Sequence, residues 1–152
     1  MEDIVKIYCD GGCRGNQFKE NIGGWGVHLE YKSKIKELYG GEKNTTNNRM
    51  ELTSCIKGLE AINRKTFPVE VIMDSQYVIS AFNEKWIDGW IKRGWRTSQK
   101  KPVENKDLWL RLIELTKQFK DITFTKCRGH ADNDGNNKAD ELANIAMSEI
   151  ES

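Results

Sequence analysis

The chain has 152 residues, of which 38% are hydrophobic and 31% are charged, and its formal net charge is +1. This length fits a single domain, residues 1–152, with its own core, and the balance of residue types excludes a disordered chain. No apolar run approaches the roughly 20 residues that a membrane-spanning helix needs, so no membrane partner is expected.

The first third of the chain predicts three strands. Residues 4–9 are almost entirely apolar, which is typical of a strand in the middle of a sheet, and Asp10-Gly11-Gly12 should end that strand in a turn. Residues 25–31 alternate as a half-buried strand does, and residues 35–41 are the expected antiparallel partner.

The remainder predicts helices with two further strands. A helix should begin near Thr46 or Asn47, either of which can cap its first turn. Apolar strands are predicted at residues 69–73 and 122–126, helices at 76–83, at 108–119 and from 139 to 150, and a polar loop at 128–137. This order of elements predicts an α/β fold with a mixed sheet. A right-handed crossover can place strands 4–9 and 69–73 side by side in parallel.

The four cysteines do not follow a metal-binding pattern. Cys9, Cys13, Cys55 and Cys127 have no zinc-ligand spacing. The N-terminus, Met1-Glu2-Asp3, also lacks the basic and apolar regions of a signal peptide. We therefore expect a cytoplasmic protein with reduced thiols in core or incidental positions. Cys13, beside the site proposed next, is the one thiol that could be reactive.

Four acids lie where strands end or helices begin. Asp10 and Asp74 each follow an apolar strand, and parallel strands would bring both to the carboxyl edge, where open α/β sheets bind ligands. Glu51 lies early in the intervening helix, and Asp140 should open the last one. Each acid alone could be a solvated turn or helix-start residue. Two unit charges 4 Å apart repel by about 4 kcal/mol at an effective dielectric near 20, so convergence would require hard divalent cations.

Six segments share one order and spacing with a known family. They are YCDGGCRGN (8–16), TTNNRMEL (45–52), DSQYV (74–78), KRGWRT (92–97), KKPVENKDLW (100–109) and RGHADNDGNNKADELA (128–143). Together they cover nearly all of the chain, which resembles the bacterial type 1 ribonucleases H. The resemblance implies a ribonuclease H-like fold with a mixed five-stranded sheet flanked by helices.

The resemblance also implies an activity: endonucleolytic hydrolysis of the RNA strand of an RNA–DNA hybrid, leaving 5′-phosphate and 3′-hydroxyl ends. Asp10, Glu51, Asp74 and Asp140 would hold two magnesium ions (Mg²⁺), for which Mn²⁺ can substitute. One ion would activate the attacking water and the other would stabilise the leaving oxygen. His130, which on composition alone could be a surface histidine, matches the family's loop histidine that assists proton transfer and product release. A monomer is expected.

Contacts with both strands of the hybrid are implied as well. The expected contacts with RNA 2′-hydroxyls are Asn16, Asn47, Asn48 and Gln76, together with backbone around Gly11 and Gly12. Each asparagine could instead be a turn or cap residue. Thr46 and Asn105 match a pocket for one DNA phosphate.

A basic segment with tryptophans is expected to hold the DNA strand. Between Gly89 and Val103 there are five basic residues and no acidic one, and such cations bind phosphates. The predicted contacts are Trp86, Trp90, Lys92, Arg93, Trp95, Arg96, Lys100 and Lys101. The tryptophans could instead belong to the core, Trp90 above all.

Three features depart from the family pattern. Asn44 stands where bacterial relatives often carry an arginine beside the phosphate pocket, and Ile91 replaces a usual basic residue. Both predict weaker hybrid binding than in a strongly basic relative. Residues 17–22 form a loop longer than the family's Gly-Pro turn, to which the sequence assigns no role.

Three other functions are alternatives to the hydrolysis of RNA–DNA hybrids. An integrase-like or junction-cutting nuclease of the same broad fold shares acids at strand ends but not TTNNRMEL, DSQYV or the basic tryptophan segment. A catalytically silent hybrid-binding module is disfavoured because all four acids are present. The ribonuclease domain of a reverse transcriptase is disfavoured because no polymerase segment accompanies the domain.

Overall fold

The structure is a computed structural model that describes residues 3–16, 19–127 and 134–151. Its elements follow one another along the chain as β1 (Val5–Asn16), β2 (Lys19–Tyr31), β3 (Lys34–Lys43), α1 (Asn47–Glu60), β4 (Val69–Met73), α2 (Gln76–Asn83), α3 (Trp86–Lys92), α4 (Lys106–Lys117), β5 (Ile122–Lys126) and α5 (Asp134–Glu151).

The strands form one mixed sheet in the order β3-β2-β1-β4-β5. β1 pairs with β2, and β2 with β3, in antiparallel fashion, whereas β4 is parallel to both β1 and β5. β4 lies between β1 and β5, and it is apolar apart from Glu70, as expected of an internal strand that is covered on both faces. The predicted α/β fold with a mixed five-stranded sheet is confirmed, and so is the parallel pairing of residues 4–9 with 69–73.

β1 is longer than the sequence predicted. The expected turn at residues 10–12 is wrong, because Asp10 pairs with Gly26 and the antiparallel ladder continues to Asn16. The parallel ladder with β4 stops at the pair Cys9–Met73, so beyond that pair β1 has only β2 beside it. Of the two glycines that suggested a turn, Gly11 allows close packing of α1 on the strand, whereas Gly12 has open space around it.

Of the predicted loop at residues 17–22, residues 17 and 18 lie outside the described residues, and residues 19–22 belong to β2. Lys19 pairs with Asn16, and β2 already begins at Lys19. The side chain of Asn21 donates to the backbone oxygen of Thr45 and accepts from its backbone N–H, both at 2.8 Å. This part of β2 therefore holds the segment that leads into α1.

The helices cover the two faces of the sheet. A Cβ atom on Gly58 of α1 would lie 2.7 Å from the Ile7 side chain, whereas one on Gly135 of α5 would lie 2.4 Å from the Tyr8 ring. Because neighbouring strand residues point to opposite faces, α1 and α5 lie on opposite sides. α1 buries an inner stripe formed by Leu52, Cys55, Ile56 and Leu59, and Ile62 just beyond the end of the helix is also buried.

α5 begins earlier than predicted. The expected polar loop at 128–137 overlaps the first turn of this helix, which starts at Asp134. Gly135 and Asn136 are buried against the sheet although their types suggest a loop. Asp140 consequently lies in the second turn of α5 and does not open it. Residues 128–133 are outside the described residues.

A short helix, α3, was not predicted within the tryptophan segment. Its buried side chains are Ile87 and Trp90, which are three positions apart and so share one face. The spacing of these two apolar residues could have predicted the helix, but the basic residues around them obscured the pattern. In the part of the chain that the structure describes, no helix has the length and apolar character needed to cross a bilayer. All four cysteines are thiols within the described residues, and Cys9, Cys55 and Cys127 are buried.

Candidate active site

Asp10 and Asp74 lie together at the carboxyl edge of the parallel strands. Each follows one member of the last parallel pair, Cys9–Met73. Asp10 remains within β1 and is half-buried, whereas Asp74 has left β4 and is exposed. The shared edge that the sequence predicted for these two acids is therefore present in the fold.

Glu51 reaches the same edge because α1 lies directly against β1. A Cβ atom on Gly11 would be 2.4 Å from the backbone carbon of Met50 and 2.6 Å from the nitrogen of Glu51. Only a residue without a side chain permits this approach of helix to strand. The contact fixes the start of α1 next to Asp10.

Asp140 is brought in from the opposite face by a second close contact. Gly26, the partner of Asp10 in the ladder, faces α5, and a Cβ atom there would lie 2.2 Å from the backbone oxygen of Ala139. The next residue, Asp140, shares a hydrogen bond with Asp10. Two glycines in neighbouring strands thus place two helices at one aspartate.

The carboxylates of the site affect one another electrostatically. Burial raises the pKa of Asp10 to about 8, with further contributions from the hydrogen bond to Asp140 and the charges of Glu51 and Asp140. Burial also raises the pKa of Glu51 to about 7, and the charge of Asp74 adds to this, whereas a hydrogen bond from Ser75 opposes it. The four predicted acids therefore form one interacting group.

These acids influence one another electrostatically without being arranged as a chelate. Among residues 3–16, 19–127 and 134–151, no three His, Cys, Asp or Glu side chains are arranged to hold a metal ion. Two carboxyls that share a hydrogen bond retain a proton between them. A cation that bound here would replace that proton and draw the oxygens together.

Ser75 and Lys126 support the site, although the sequence analysis missed both. The Ser75 hydroxyl caps α2 by accepting from the backbone N–H of Val78, at 3.1 Å, and also bonds to Glu51. The Lys126 ammonium donates to the side-chain oxygen of Gln76 at 2.8 Å. Ser75 lies beside Asp74 in the DSQYV motif and could have been noted, whereas the partner of Lys126 is 50 positions away and gave no signal.

Thr46, Asn47 and Asn48 lie at the amino end of α1. Thr46 is the N-cap, and its hydroxyl accepts from the backbone N–H of Arg49 at 3.1 Å. Asn47 is exposed and Asn48 half-buried in the first turn, on the same helix as Glu51. The alternative reading of Asn47 as the cap is not observed, because Thr46 takes that position.

The basic segment presents its cations to solvent. Lys92, Arg93, Arg96, Lys100 and Lys101 are all exposed, and within the described chain no acid lies within ion-pair distance of them. The segment is ordered by its own backbone, including a bridge between Arg96 and Pro102.

The tryptophans of this segment differ in exposure. Trp90 is only 8% exposed and packs on Trp95 and Trp109, which favours the core role that the sequence left open for it. Trp86 is 38% exposed and is available to a ligand. Two predicted contacts, His130 and the side chain of Asn16, lie outside the described residues.

Comparison with known proteins agrees with this geometry. A family model described as RNase H matches residues 2–148. Ribonuclease H of Chlorobaculum parvum is 46% identical over 98% of this chain and 99% of that protein. Ribonuclease H of Pseudomonas entomophila is 48% identical over 99% of this chain and 97% of that protein.

A solved structure gives the same result. LC9-RNase H1, described as a type 1 RNase H with the type 2 active-site motif, superposes with a TM-score of 0.83 at 32% identity. The match covers 98% of this chain and 74% of that chain. The chain therefore belongs to the ribonuclease H family, as its six sequence segments indicated.

Proposed function

We propose that this chain is an endonuclease that uses divalent cations to hydrolyse the RNA strand of RNA–DNA hybrids, leaving 5′-phosphate and 3′-hydroxyl ends. One observation carries the proposal: two strands and two helices bring Asp10, Glu51, Asp74 and Asp140 to one edge of the sheet. Membership of the ribonuclease H family supports the reaction class.

The residues present fit a divalent metal centre. The acids are crowded enough that Asp10 and Glu51 tend to keep their protons, so the group needs positive charge to ionise fully. All four offer carboxylate oxygens, which are the ligands that magnesium prefers. The four would hold two Mg²⁺ ions, with Mn²⁺ as a substitute. When bound, such ions supply an activated water and stabilise the leaving oxygen.

The chain's own residues set the geometry of this centre. The backbone contacts at Gly11 and Gly26 fix how far α1 and α5 stand from β1. The Ser75 hydroxyl donates to Glu51 and so restricts the rotation of that carboxylate. His130, in the segment between β5 and α5, would accept or deliver a proton at the leaving oxygen.

The surroundings of the acids suit recognition of the RNA strand. Asn47 and Asn48 lie in the first turn of the helix that carries Glu51, and Gln76 lies two residues beyond Asp74. Their amides can both donate to and accept from a 2′-hydroxyl near the cut phosphate. This arrangement would couple cutting to the presence of ribose.

The exposed basic segment would hold the complementary DNA strand. Its five exposed cations, which have no acid within ion-pair distance among the described residues, can contact phosphates, and Trp86 can pack on a sugar. These contacts recognise the backbone and need no particular base sequence. The hybrid would therefore be recognised by its two different backbones.

A cleavage assay tests the proposal. A labelled RNA–DNA hybrid, an RNA duplex, a DNA duplex and a DNA junction are each incubated with the protein in Mg²⁺, with and without chelator. We expect metal-dependent cutting of the RNA strand of the hybrid alone. Cutting of the DNA substrates would favour an integrase-like or junction-cutting nuclease, and tight hybrid binding without cutting would favour a silent binding module.

A further inference from the structure

Arg49 joins the two residues that are proposed to hold one DNA phosphate. Its backbone N–H donates to the Thr46 hydroxyl at 3.1 Å, and its guanidinium donates to the side-chain oxygen of Asn105 at 3.3 Å. Thr46 caps α1, whereas Asn105 stands immediately before α4. One residue thus spans the distance between two helix starts.

The Arg49 guanidinium is already occupied by a protein carboxylate. It donates to both oxygens of Asp107, from Nη1 to Oδ1 at 3.0 Å and from Nη2 to Oδ2 at 2.9 Å. A two-bond pair of this kind fixes the plane of the guanidinium and compensates its charge. The Arg49 side chain is 32% exposed and that of Asp107 is 66% exposed. Arg49 is therefore better suited to hold a neighbouring group than to bind a phosphate itself.

The contact with Arg49 determines which way the Asn105 amide faces. A guanidinium has only donors, so the atom that meets it must be the amide oxygen. The amide nitrogen then faces the Tyr77 hydroxyl, to which it donates at 3.3 Å, and that hydroxyl also accepts from the indole nitrogen of Trp109 at 2.9 Å. The amide nitrogen carries a second N–H, which an anion can accept.

We propose that Arg49 is a positioning residue that fixes the Asn105 amide with an N–H toward a phosphate of the DNA strand. The inference rests on the proposed function and adds a residue that acts through another. Without Arg49 the amide can turn over, and its carbonyl oxygen would then repel the phosphate. Because Asp107 would also be left as an unpaired negative charge, the matched variant is the double substitution Arg49→Met with Asp107→Asn, which keeps the net charge.

The test measures kcat and KM of the full chain on an RNA–DNA hybrid in Mg²⁺. The double variant should raise KM by about tenfold, near the lower end of the worth of one hydrogen bond to a charged group, with kcat near the wild-type value. In an Asn105→Ala background the same double substitution should change KM little, since the residue it positions is gone. Arg49→Lys serves as a second variant if the double variant unfolds, and it should raise KM less.

A backbone probe separates positioning from a general structural effect. A set of hybrids carries one neutral methylphosphonate at successive positions of the DNA strand. Wild type should lose affinity at each phosphate that it contacts, and at one of these positions the double variant should lose clearly less affinity than wild type. Two outcomes would show that the positioning role is wrong, provided that the wild type cuts the hybrid. One is a wild-type KM in the double variant. The other is an equal rise in KM when the double substitution is made with Asn105 present and in the Asn105→Ala background. If the wild type does not cut the hybrid, the proposed function itself fails.

Discussion

Asp10 shares a hydrogen bond with Asp140, although the two lie on a strand and a helix from opposite ends of the chain. A hydrogen bond between two carboxyl groups needs a proton on one of them. Without a metal ion, the protein therefore keeps a proton at neutral pH that two independent carboxylates would have released. The proton and the cation therefore compete for the same oxygens.

The stability of the metal-free protein should fall as pH rises. Burial raises the pKa of Asp10 to about 8 and that of Glu51 to about 7, against ordinary carboxyl values of about 4. Between about pH 4 and pH 8 the folded chain keeps protons that the unfolded chain loses, so the free energy of unfolding decreases with pH over that window. Urea unfolding in chelator across this range measures it.

The variant Asp10→Asn provides the control for this pH dependence. The amide cannot ionise, so the decline between about pH 4 and pH 8 should become shallower than in wild type. Excess Mg²⁺ should also reduce the decline in wild type, because it stabilises the ionised group. An equal slope in Asp10→Asn would mean that this carboxyl is not responsible.

The same variant should separate cutting from binding. Asp10→Asn should reduce cleavage of a hybrid below detection in Mg²⁺, because it removes one proposed metal ligand. The Kd for the hybrid should stay near the wild-type value, because no proposed contact with the nucleic-acid backbone is removed. Asp121→Asn is the matched control, since Asp121 is exposed at the opposite end of β5. Cleavage at the wild-type rate by Asp10→Asn would refute the metal-site assignment.

The basic segment should govern how salt affects the reaction. Lys92→Ala with Arg93→Ala should raise KM and reduce the slope of log KM against log salt, by about one unit for each phosphate contact removed. The pair Lys34→Ala with Lys36→Ala removes two exposed cations from the far end of β3 and should leave both quantities unchanged. A KM equal to wild type at two salt concentrations would remove the DNA-binding assignment.

The close contact at Gly26 should limit both stability and activity. Gly26→Ala places a methyl group too close to the backbone oxygen of Ala139, so α5 must shift. The shift should lower the free energy of unfolding by about 1–3 kcal/mol. The shift should also lower kcat by moving Asp140. Gly12→Ala meets nothing within 4 Å and should have little effect on stability. Chemical denaturation of both variants checks the comparison, and equal losses would contradict it.

Much of the fold could be predicted because apolar period and strand composition are local signals. β4 and the inner stripe of α1 follow directly from their residues. The end of β1 could not be predicted, because glycine at positions 11 and 12 by itself indicates a turn. The packing of α1 against this part of the strand is visible only in three dimensions. The first turn of α5 was hidden for a similar reason: its polar residues suggest a loop until the sheet buries them.

The four acids of the site could be predicted, but the residues that hold them could not. Asp10 and Asp74 stand out because each follows an apolar strand, and Asp140 and Glu51 belong to recognisable segments. Lys126 and Arg49 act on side chains more than 40 positions away along the chain, and no spacing rule relates such partners. The family resemblance names contacts with the ligand and leaves out these supporting residues.

The backbone contacts at Gly11 and Gly26 make the grouping of the acids a feature of the folded chain, independent of any bound ion. Removing the cations should therefore leave the scaffold standing, and returning them should restore cutting as fast as ions diffuse in, with no slow refolding phase. The cutting rate would then follow changes in the free cation concentration without waiting for the chain to refold.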